Sequence, residues 1–160
     1  MNKFCTILES VLGKITILAD EEAVNVVSFK EMDTTGMIEN EISQLAANQL
    51  GAYFEGALKD FTFPMAQSGS EFQQDVWQKL LKIPYAETIS YAKFSAHKPL
   101  AIRAIAAANG KNNLAIVIPC HRVIGSDGKL VGYAGELWRK KWLLQHEREV
   151  AKRGQTELKF

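Results

Sequence analysis

The feature that most constrains this chain is an apolar run, residues 114–118, that ends at a proline. The run consists of one leucine, one alanine, two isoleucines and one valine. A short run of mostly branched apolar residues predicts a buried β-strand. Pro119 has no backbone N–H with which to extend a ladder, so we expect the strand to stop there. Cys120 would then lie at the edge of the core, just past a rigid strand end.

Cys120 is followed at once by two side chains that can carry positive charge, His121 and Arg122. A nearby cation or base favours the thiolate, which is the nucleophilic form of cysteine. The residues alone leave two interpretations open. Cys120 is either a reactive thiol, because a polar Cys-His-Arg step would be costly in a dry core, or an inert buried side chain, as most free cysteines are.

The five residues Pro119-Cys120-His121-Arg122-Val123 resemble the active-site signature of the O6-alkylguanine-DNA alkyltransferases, also called methylated-DNA–protein-cysteine methyltransferases. The similarity continues over the C-terminal part of the chain, in the order found in that family, through Phe72-Gln73, Val76-Trp77, Ile89-Ser90-Tyr91, Arg103 and Trp142-Leu143-Leu144-Gln145-His146-Glu147.

The resemblance implies an α+β fold with two domains. Residues 1–64 would form a small ribonuclease H-like domain of sheet and helix, and residues 65–70 would be a linker. Residues 71–160 would form a mainly helical DNA-binding domain, with a helix-turn-helix of winged-helix type.

The residue pattern of the first 64 residues favours a sheet covered by one helix. Lys3–Glu9 and Lys14–Ala19 are β-rich runs that predict a hairpin, and Ala23–Phe29 predicts a third strand. Apolar residues recur at near-helical spacing over Met37–Phe54. We interpret Cys5 as a packing residue, because this part of the chain has no second cysteine or histidine that could complete a zinc set.

The C-terminal part shows helix signals. Ser70 and Gln73 fit a capping box that opens a helix through Ile83. Short helices are predicted over residues 91–97 and 100–109, the second beginning after a proline and ending at a glycine. Two short helices joined by a tight turn in a basic segment predict a helix-turn-helix.

After the signature, the pattern predicts a turn over residues 125–128, a short strand at Leu130-Val131 and a helix over Leu137–Val150. Trp138 and Trp142 lie four residues apart on that helix with Leu144 beside them, which predicts a buried stripe.

Charge divides the chain into two parts. Residues 1–69 contain 4 Lys and Arg against 10 Asp and Glu, whereas residues 70–160 contain 15 against 8. This asymmetry suggests that the C-terminal part faces a polyanion, although an uneven solvated surface would give the same count. No apolar run approaches the ~20 residues of a membrane span, and the N-terminus lacks the apolar core of a signal peptide. We therefore expect a cytoplasmic protein without membrane contact.

Arg103 is the one charged residue of an alanine-rich helix. Such an arginine can snorkel or cap, or it can enter a base stack. In the family, the arginine at this position fills the gap left by an extruded nucleotide, and the helix-turn-helix lies in the minor groove. By the same resemblance, the expected DNA-binding residues are Phe72, Tyr91, Ala92, Arg103, Ala104 and Ala107.

The resemblance also assigns roles around Cys120, which would be the nucleophile and alkyl acceptor. His121 would draw its proton through a water, and Glu147 would orient His121. Without the resemblance, Glu147 could equally be a surface carboxylate that pairs with Arg148 or Lys152. Tyr91 would donate a proton and contact phosphate, and Asn112 would act as a hinge.

The base pocket implied by the resemblance is formed by Val123, Tyr133, Ala134 and Gly135. Two departures from the family pattern stand close to the site. Asn113 replaces a usual proline, and Glu136 replaces a second glycine, where we expect its carboxylate to face water. The turn between Tyr91 and Arg103 is also shorter than in the family.

The implied reaction is the transfer of an alkyl group from O6-alkylguanine in double-stranded DNA to Cys120 after base flipping. O4-alkylthymine remains open as a second substrate. A thioether has no carbonyl for water to attack, so one molecule should repair one lesion. No metal or organic cofactor is required, and a monomer is expected. A thiol hydrolase would use the same Cys-His pair but should turn over, and a non-catalytic lesion-binding protein would lack the thiol.

Overall fold

The computed structural model describes residues 3–125, 128, 130, 133 and 135–157, with side chains described up to residue 153. The contacts divide the chain into two compact units. The first comprises Met1–Ser68 and Asn113–Val117, and the second comprises Gly69–Asn112 and Ile118–Phe160. The first unit therefore includes five residues from the C-terminal half of the sequence.

An antiparallel sheet forms the first unit's framework. Its strands β1 (Phe4–Ser10), β2 (Gly13–Ala19) and β3 (Val24–Ser28) lie in the order β1-β2-β3. Gly13 has a φ of +104°, which lets the chain reverse between β1 and β2 within two residues. The predicted hairpin and third strand are confirmed.

Helix α1 (Glu41–Phe54) covers this sheet and buries Ala46, Leu50 and Tyr53. It begins at Glu41, not at Met37 as predicted, because Asn40 and Ser43 form a capping box there. The side chain of Ile38, which was part of the apolar pattern, is 67% exposed. Its backbone carbonyl instead accepts a hydrogen bond from Cys5 at 2.9 Å.

The prediction of a strand over residues 114–118 is wrong, although Ala115 is partly buried and the other four residues are buried. Only Leu114 forms a bridge, with Val27 of β3. The chain then turns, because the Val117 N–H donates to the Ala115 carbonyl at 2.8 Å and Ile116 has a φ of +71°. A β-branched residue at positive φ marks local strain, so apolar composition alone misidentified this segment.

In the second unit, helix α2 (Glu71–Leu80) begins with the predicted capping box of Ser70 and Gln73. It ends at Leu80 instead of Ile83. Trp77 is buried, and its indole N–H donates to the Ala108 carbonyl at 2.9 Å.

The helix-turn-helix segment is observed as two short helices on either side of a 3-10 turn, Pro99–Ala101. A two-stranded parallel sheet pairs residues on the two sides of this segment, and a long C-terminal helix follows. These elements are β4 (Ile89–Ser90), α3 (Tyr91–Phe94), α4 (Ile102–Gly110), β5 (Val123–Ile124) and α5 (Leu137–Glu157).

Candidate active site

Cys120 opens a short 3-10 helix, Cys120–Arg122, directly after Pro119. Its backbone N–H donates to the Ile118 carbonyl at 2.7 Å, and the residue is only 8% exposed. Asn112 Nδ2 lies 3.1 Å from that same carbonyl oxygen and 3.5 Å from Cys120 Sγ. Asn112 therefore holds both the sulfur and the backbone that carries it.

The pKa of Cys120 is raised, because the thiol is buried, and hydrogen bonding from Asn112 and the charge of Lys140 only partly oppose this effect. The expectation that its two sequence neighbours would favour the thiolate is therefore wrong for the resting protein. His121 is held in its neutral form, and the guanidinium of Arg122 is bound to a carboxylate. In the resting protein Cys120 is therefore a protonated thiol, and a base must remove its proton before the sulfur can act as a nucleophile.

His121 and Glu147 form a fully buried pair, with Nε2 of the imidazole 2.7 Å from Oε2 of the carboxylate. Burial lowers the pKa of His121, and hydrogen bonding and charge from Glu147 only partly oppose this. A neutral imidazole beside an ionised carboxylate carries its proton on the nitrogen that faces that carboxylate. His121 Nδ1 is then an acceptor, and it is buried with no hydrogen-bond partner among the described residues.

Glu147 is held by donors from three directions. Arg122 Nε and Nη2 lie 2.9 Å and 3.1 Å from its two oxygens, and the Ala86 N–H donates to it at 3.1 Å. Burial by itself would raise the pKa of Glu147, but His121 and Arg122 outweigh burial and leave this pKa well below its usual range. The alternative of a surface carboxylate is therefore excluded.

Lys140 is a second buried cation near the thiol. Its ammonium group donates to the Val123 carbonyl at 2.7 Å, and the residue has no exposed surface. Burial lowers the pKa of Lys140 to about 8, and the charge of a Cys120 thiolate opposes that shift. Lys140 and Glu147 lie two turns apart on α5, so one face of this helix contacts the segment from His121 to Val123.

Two tyrosines lie close enough to interact electrostatically with Cys120. The Tyr91 hydroxyl accepts a hydrogen bond from Asn109 Nδ2 at 2.6 Å. Burial raises the pKa of Tyr91, so its hydroxyl stays protonated near neutral pH and remains a donor. The Tyr133 hydroxyl is buried and lacks a partner among the described residues, and burial raises its pKa well above the ordinary value.

Except for Tyr91, which is partly buried, the predicted DNA-binding residues of α3 and α4 are exposed. Arg103 is exposed, and within the described part of the chain it forms no hydrogen bond or ion pair. Phe72 is partly exposed, and Lys98 Nζ lies 5.9 Å from its ring centre. The other exposed members of the predicted set are Ala92, Ala104 and Ala107.

Among the base-pocket residues, Val123 and Gly135 are buried and Tyr133 is partly buried, whereas Ala134 lies outside the described residues. The predicted turn at 125–128 and strand at 130–131 also fall partly outside them. Glu136 is exposed, as expected, with a φ of +76°. Trp138 is 52% exposed and not part of a buried stripe, since its indole N–H donates to the exposed Glu136 carboxylate at 2.8 Å.

No group of three His, Cys, Asp or Glu side chains among the described residues is arranged to hold a metal ion. Within the same ranges, no helix combines the length and the apolar character needed to cross a membrane.

Family models match both parts of the chain. The model described as 6-O-methylguanine DNA methyltransferase, ribonuclease-like domain, matches residues 3–67, and the DNA binding domain of the same name matches residues 71–149. The chain is 41% identical to a methylated-DNA–protein-cysteine methyltransferase of Methanosarcina acetivorans, over 90% of this chain and 97% of that protein. The chain belongs to the methylated-DNA–protein-cysteine methyltransferase family.

Other members of the family give the same result. One from Mycolicibacterium paratuberculosis is 50% identical over 121 residues, which cover 74% of this chain and 73% of that protein. The solved structure of Mycobacterium tuberculosis OGT in complex with DNA shares 38% identity, with a TM-score of 0.82 over 90% of this chain and 92% of that one. The predicted α+β class, with its ribonuclease-like and DNA-binding parts, is confirmed.

Sequence reasoning missed three residues at this methyltransferase site: Ala86, Asn109 and Lys140. Lys140 could have been found, because it precedes Glu147 by two helical turns on a predicted helix and so faces the same side. Ala86 acts through its backbone, at a φ of +66°, and Asn109 acts on another side chain. Neither has a signal in a single sequence.

Proposed function

We propose that this protein repairs O6-alkylguanine in double-stranded DNA by moving the alkyl group to Cys120 Sγ, once per molecule. The observation that carries the proposal is a buried thiol held by Asn112, followed directly by a neutral imidazole whose Nε2 is bound by an ionised Glu147. This arrangement suits an activated nucleophile, in which a third group orients the base.

The thiol must lose its proton before it attacks, since its pKa is raised in the resting state. The acceptor is His121 Nδ1, which the bond between Nε2 and Glu147 leaves unprotonated. The proton passes from Sγ to Nδ1 through a water. The imidazolium formed is stabilised by Glu147, and the thiolate is stabilised by the Lys140 ammonium.

The thiolate then displaces the purine from the alkyl carbon. The Sγ–C bond forms as the C–O6 bond breaks, and the electron pair of the broken bond goes to the purine. The Tyr91 hydroxyl, held by Asn109, gives a proton to the leaving base and so limits the charge that develops on it. The product is a thioether, which water does not hydrolyse, so the protein is consumed.

The nucleotide must leave the duplex first, because the thiol of Cys120, a residue that is only 8% exposed, cannot reach an alkyl carbon inside a base stack. Extrusion costs a few kcal/mol and costs least for a weakened base pair. Arg103 is exposed on α4 and would fill the gap, while the exposed alanines let the helix approach the minor groove closely. We further propose that the protein acts as a monomer in the cytoplasm.

An oligonucleotide duplex carrying O6-methylguanine tests this function. The intact mass of the protein should rise by one methyl group, located by peptide mapping at Cys120, and the reaction should stop at one equivalent. Cys120→Ala should bind the duplex without gaining mass, and Cys5→Ser, which changes the other buried cysteine, should still accept the methyl group. Continued turnover with excess DNA would favour a thiol hydrolase instead.

A further inference from the structure

Leu100 has no packing role within the described part of the chain. Its side chain is 103% exposed, whereas the next most exposed large apolar residues described, Ile38 and Val11, are 67% and 64% exposed. Leu100 lies in the middle of the 3-10 turn Pro99–Ala101, directly before α4. Pro99 fixes the start of this turn, so the leucine is presented on a stiff piece of backbone.

The segment of the chain that contains Leu100 is basic. The sequence contains no Asp or Glu between residues 88 and 126. The cations of α3, α4 and their connections are exposed, and they are Lys93, Lys98, Arg103 and Lys111. A polyanion complements such a surface, whereas an apolar protein partner would have to desolvate these charges.

Leu100 and Arg103 are three residues apart, so they project on the same side of the helical path. Ile102 lies between them in the sequence and is 37% exposed. Proteins that bind the minor groove often insert an apolar wedge between base steps, partly unstacking them. An apolar side chain one turn before an exposed arginine suits such a role.

We propose that Leu100 is an apolar wedge that enters the minor groove next to Arg103 and opens the base step from which the damaged nucleotide leaves. The inference rests on the proposed function and adds a residue to its DNA-binding surface. Leu100 unstacks the step, and Arg103 occupies the space that the nucleotide vacates. The wedge carries no charge, so its contribution should not depend on salt.

The test compares Leu100→Ala with wild type on two methyl donors, a duplex containing O6-methylguanine and the free base O6-methylguanine. We expect duplex repair at limiting protein to slow by about tenfold, as for the loss of one apolar side chain from an unstacked step. Reaction with the free base should be unchanged, and the slope of log affinity against log salt should also be unchanged. Val11→Ala, a truncation of an exposed apolar residue in the β1–β2 turn, is the matched control and should repair both donors like wild type.

Leu100→Lys separates shape from charge. The added cation should steepen the salt dependence of DNA affinity by about one phosphate contact, yet duplex repair should remain slow, because a lysine does not unstack bases. A 2-aminopurine next to the lesion should become less fluorescent in complexes of both variants than in the wild-type complex.

Three results would overturn the wedge. Leu100→Ala could repair the duplex at the wild-type rate, it could lose both reactions equally, or wild type could sediment as a dimer that Leu100→Ala abolishes, which would make the occupant a second copy of the chain. If wild type itself accepted no methyl group from either donor, the proposed function would fail. Wild-type transfer with an unaffected Leu100→Ala would reject the wedge alone.

Discussion

The two arginines at positions 103 and 122 belong to the same compact unit and have opposite surroundings. Arg122 is buried, bound to both oxygens of Glu147 and to the Ile83 carbonyl, whereas Arg103 is exposed without a partner in the described ranges. In the proposed catalytic site, buried charges thus compensate one another, whereas the proposed DNA-binding surface consists of exposed side chains. Substitutions around Arg122 should change both the stability of the protein and its methyl transfer from every donor. Substitutions around Arg103 should change only methyl transfer from duplex DNA.

The largest effect should follow from Glu147→Ala, because it leaves Arg122 buried without its carboxylate. Removing one partner of a buried ion pair costs about 3–5 kcal/mol of unfolding free energy. It also frees the imidazole, so methyl transfer should be lost from duplex and free base alike. Urea denaturation measures the first effect and intact mass the second, with Glu149→Ala, an exposed carboxylate on the same helix, as the control.

The pH dependence of Glu147 has a definite sign. Its pKa is lowered in the folded protein, so the unfolded chain binds the proton more readily. The stabilisation is therefore complete above the unfolded pKa of about 4.3 and is lost as the pH falls below it. Glu147→Gln should remove this part of the acid sensitivity, and an unchanged acid transition would contradict the buried ion pair.

Lys140→Met should give the next largest effect, which is a change in how stability depends on pH above neutrality. The folded pKa of Lys140 is lowered to about 8, against about 10.4 when unfolded. Between these values the unfolded chain binds more protons, so wild type should gain up to about 3 kcal/mol of stability as the pH rises through this window. The gain should be absent in Lys140→Met and present in Lys141→Met, whose lysine is exposed.

Local signals were enough for several elements of this fold. The capping box of Ser70 and Gln73 and the hairpin of β1 and β2 depend on neighbouring residues, so the sequence alone predicts them correctly. Residues 114–118 do not form the predicted strand because their partner is a single residue of β3, far away in sequence. Apolar composition predicted their burial but not their backbone path.

The candidate site, like the fold, could be predicted from the sequence only in part. The signature around Cys120 predicts that this residue is the nucleophile, and the resemblance supplied Glu147, which the structure places 2.7 Å from His121. The raised pKa of Cys120 could not be predicted, because it depends on the burial of the thiol in the folded protein. The predicted burial of Trp138 was wrong. Its indole N–H is hydrogen-bonded to the exposed carboxylate of Glu136, which directly precedes α5, and this contact could not be predicted from the helical spacing of apolar residues.

Arg103→Ala should change the stability of the protein least among these variants. Its effect on methyl transfer should be the most selective, because it should slow the reaction with duplex DNA alone. An exposed arginine without internal partners contributes little to folding, so unfolding free energy should change by less than about 0.5 kcal/mol. Duplex repair should nevertheless fall by about 10- to 100-fold, because the extruded state loses the group that fills its gap, while transfer from free O6-methylguanine should stay at the wild-type rate. Reactions quenched at timed intervals and analysed by intact-protein mass spectrometry give both rates. Arg148 is an exposed arginine on α5, so Arg148→Ala should leave both rates unchanged. Equal losses on duplex and free base would place Arg103 in the same structural category as Arg122 and remove the distinction between the two regions.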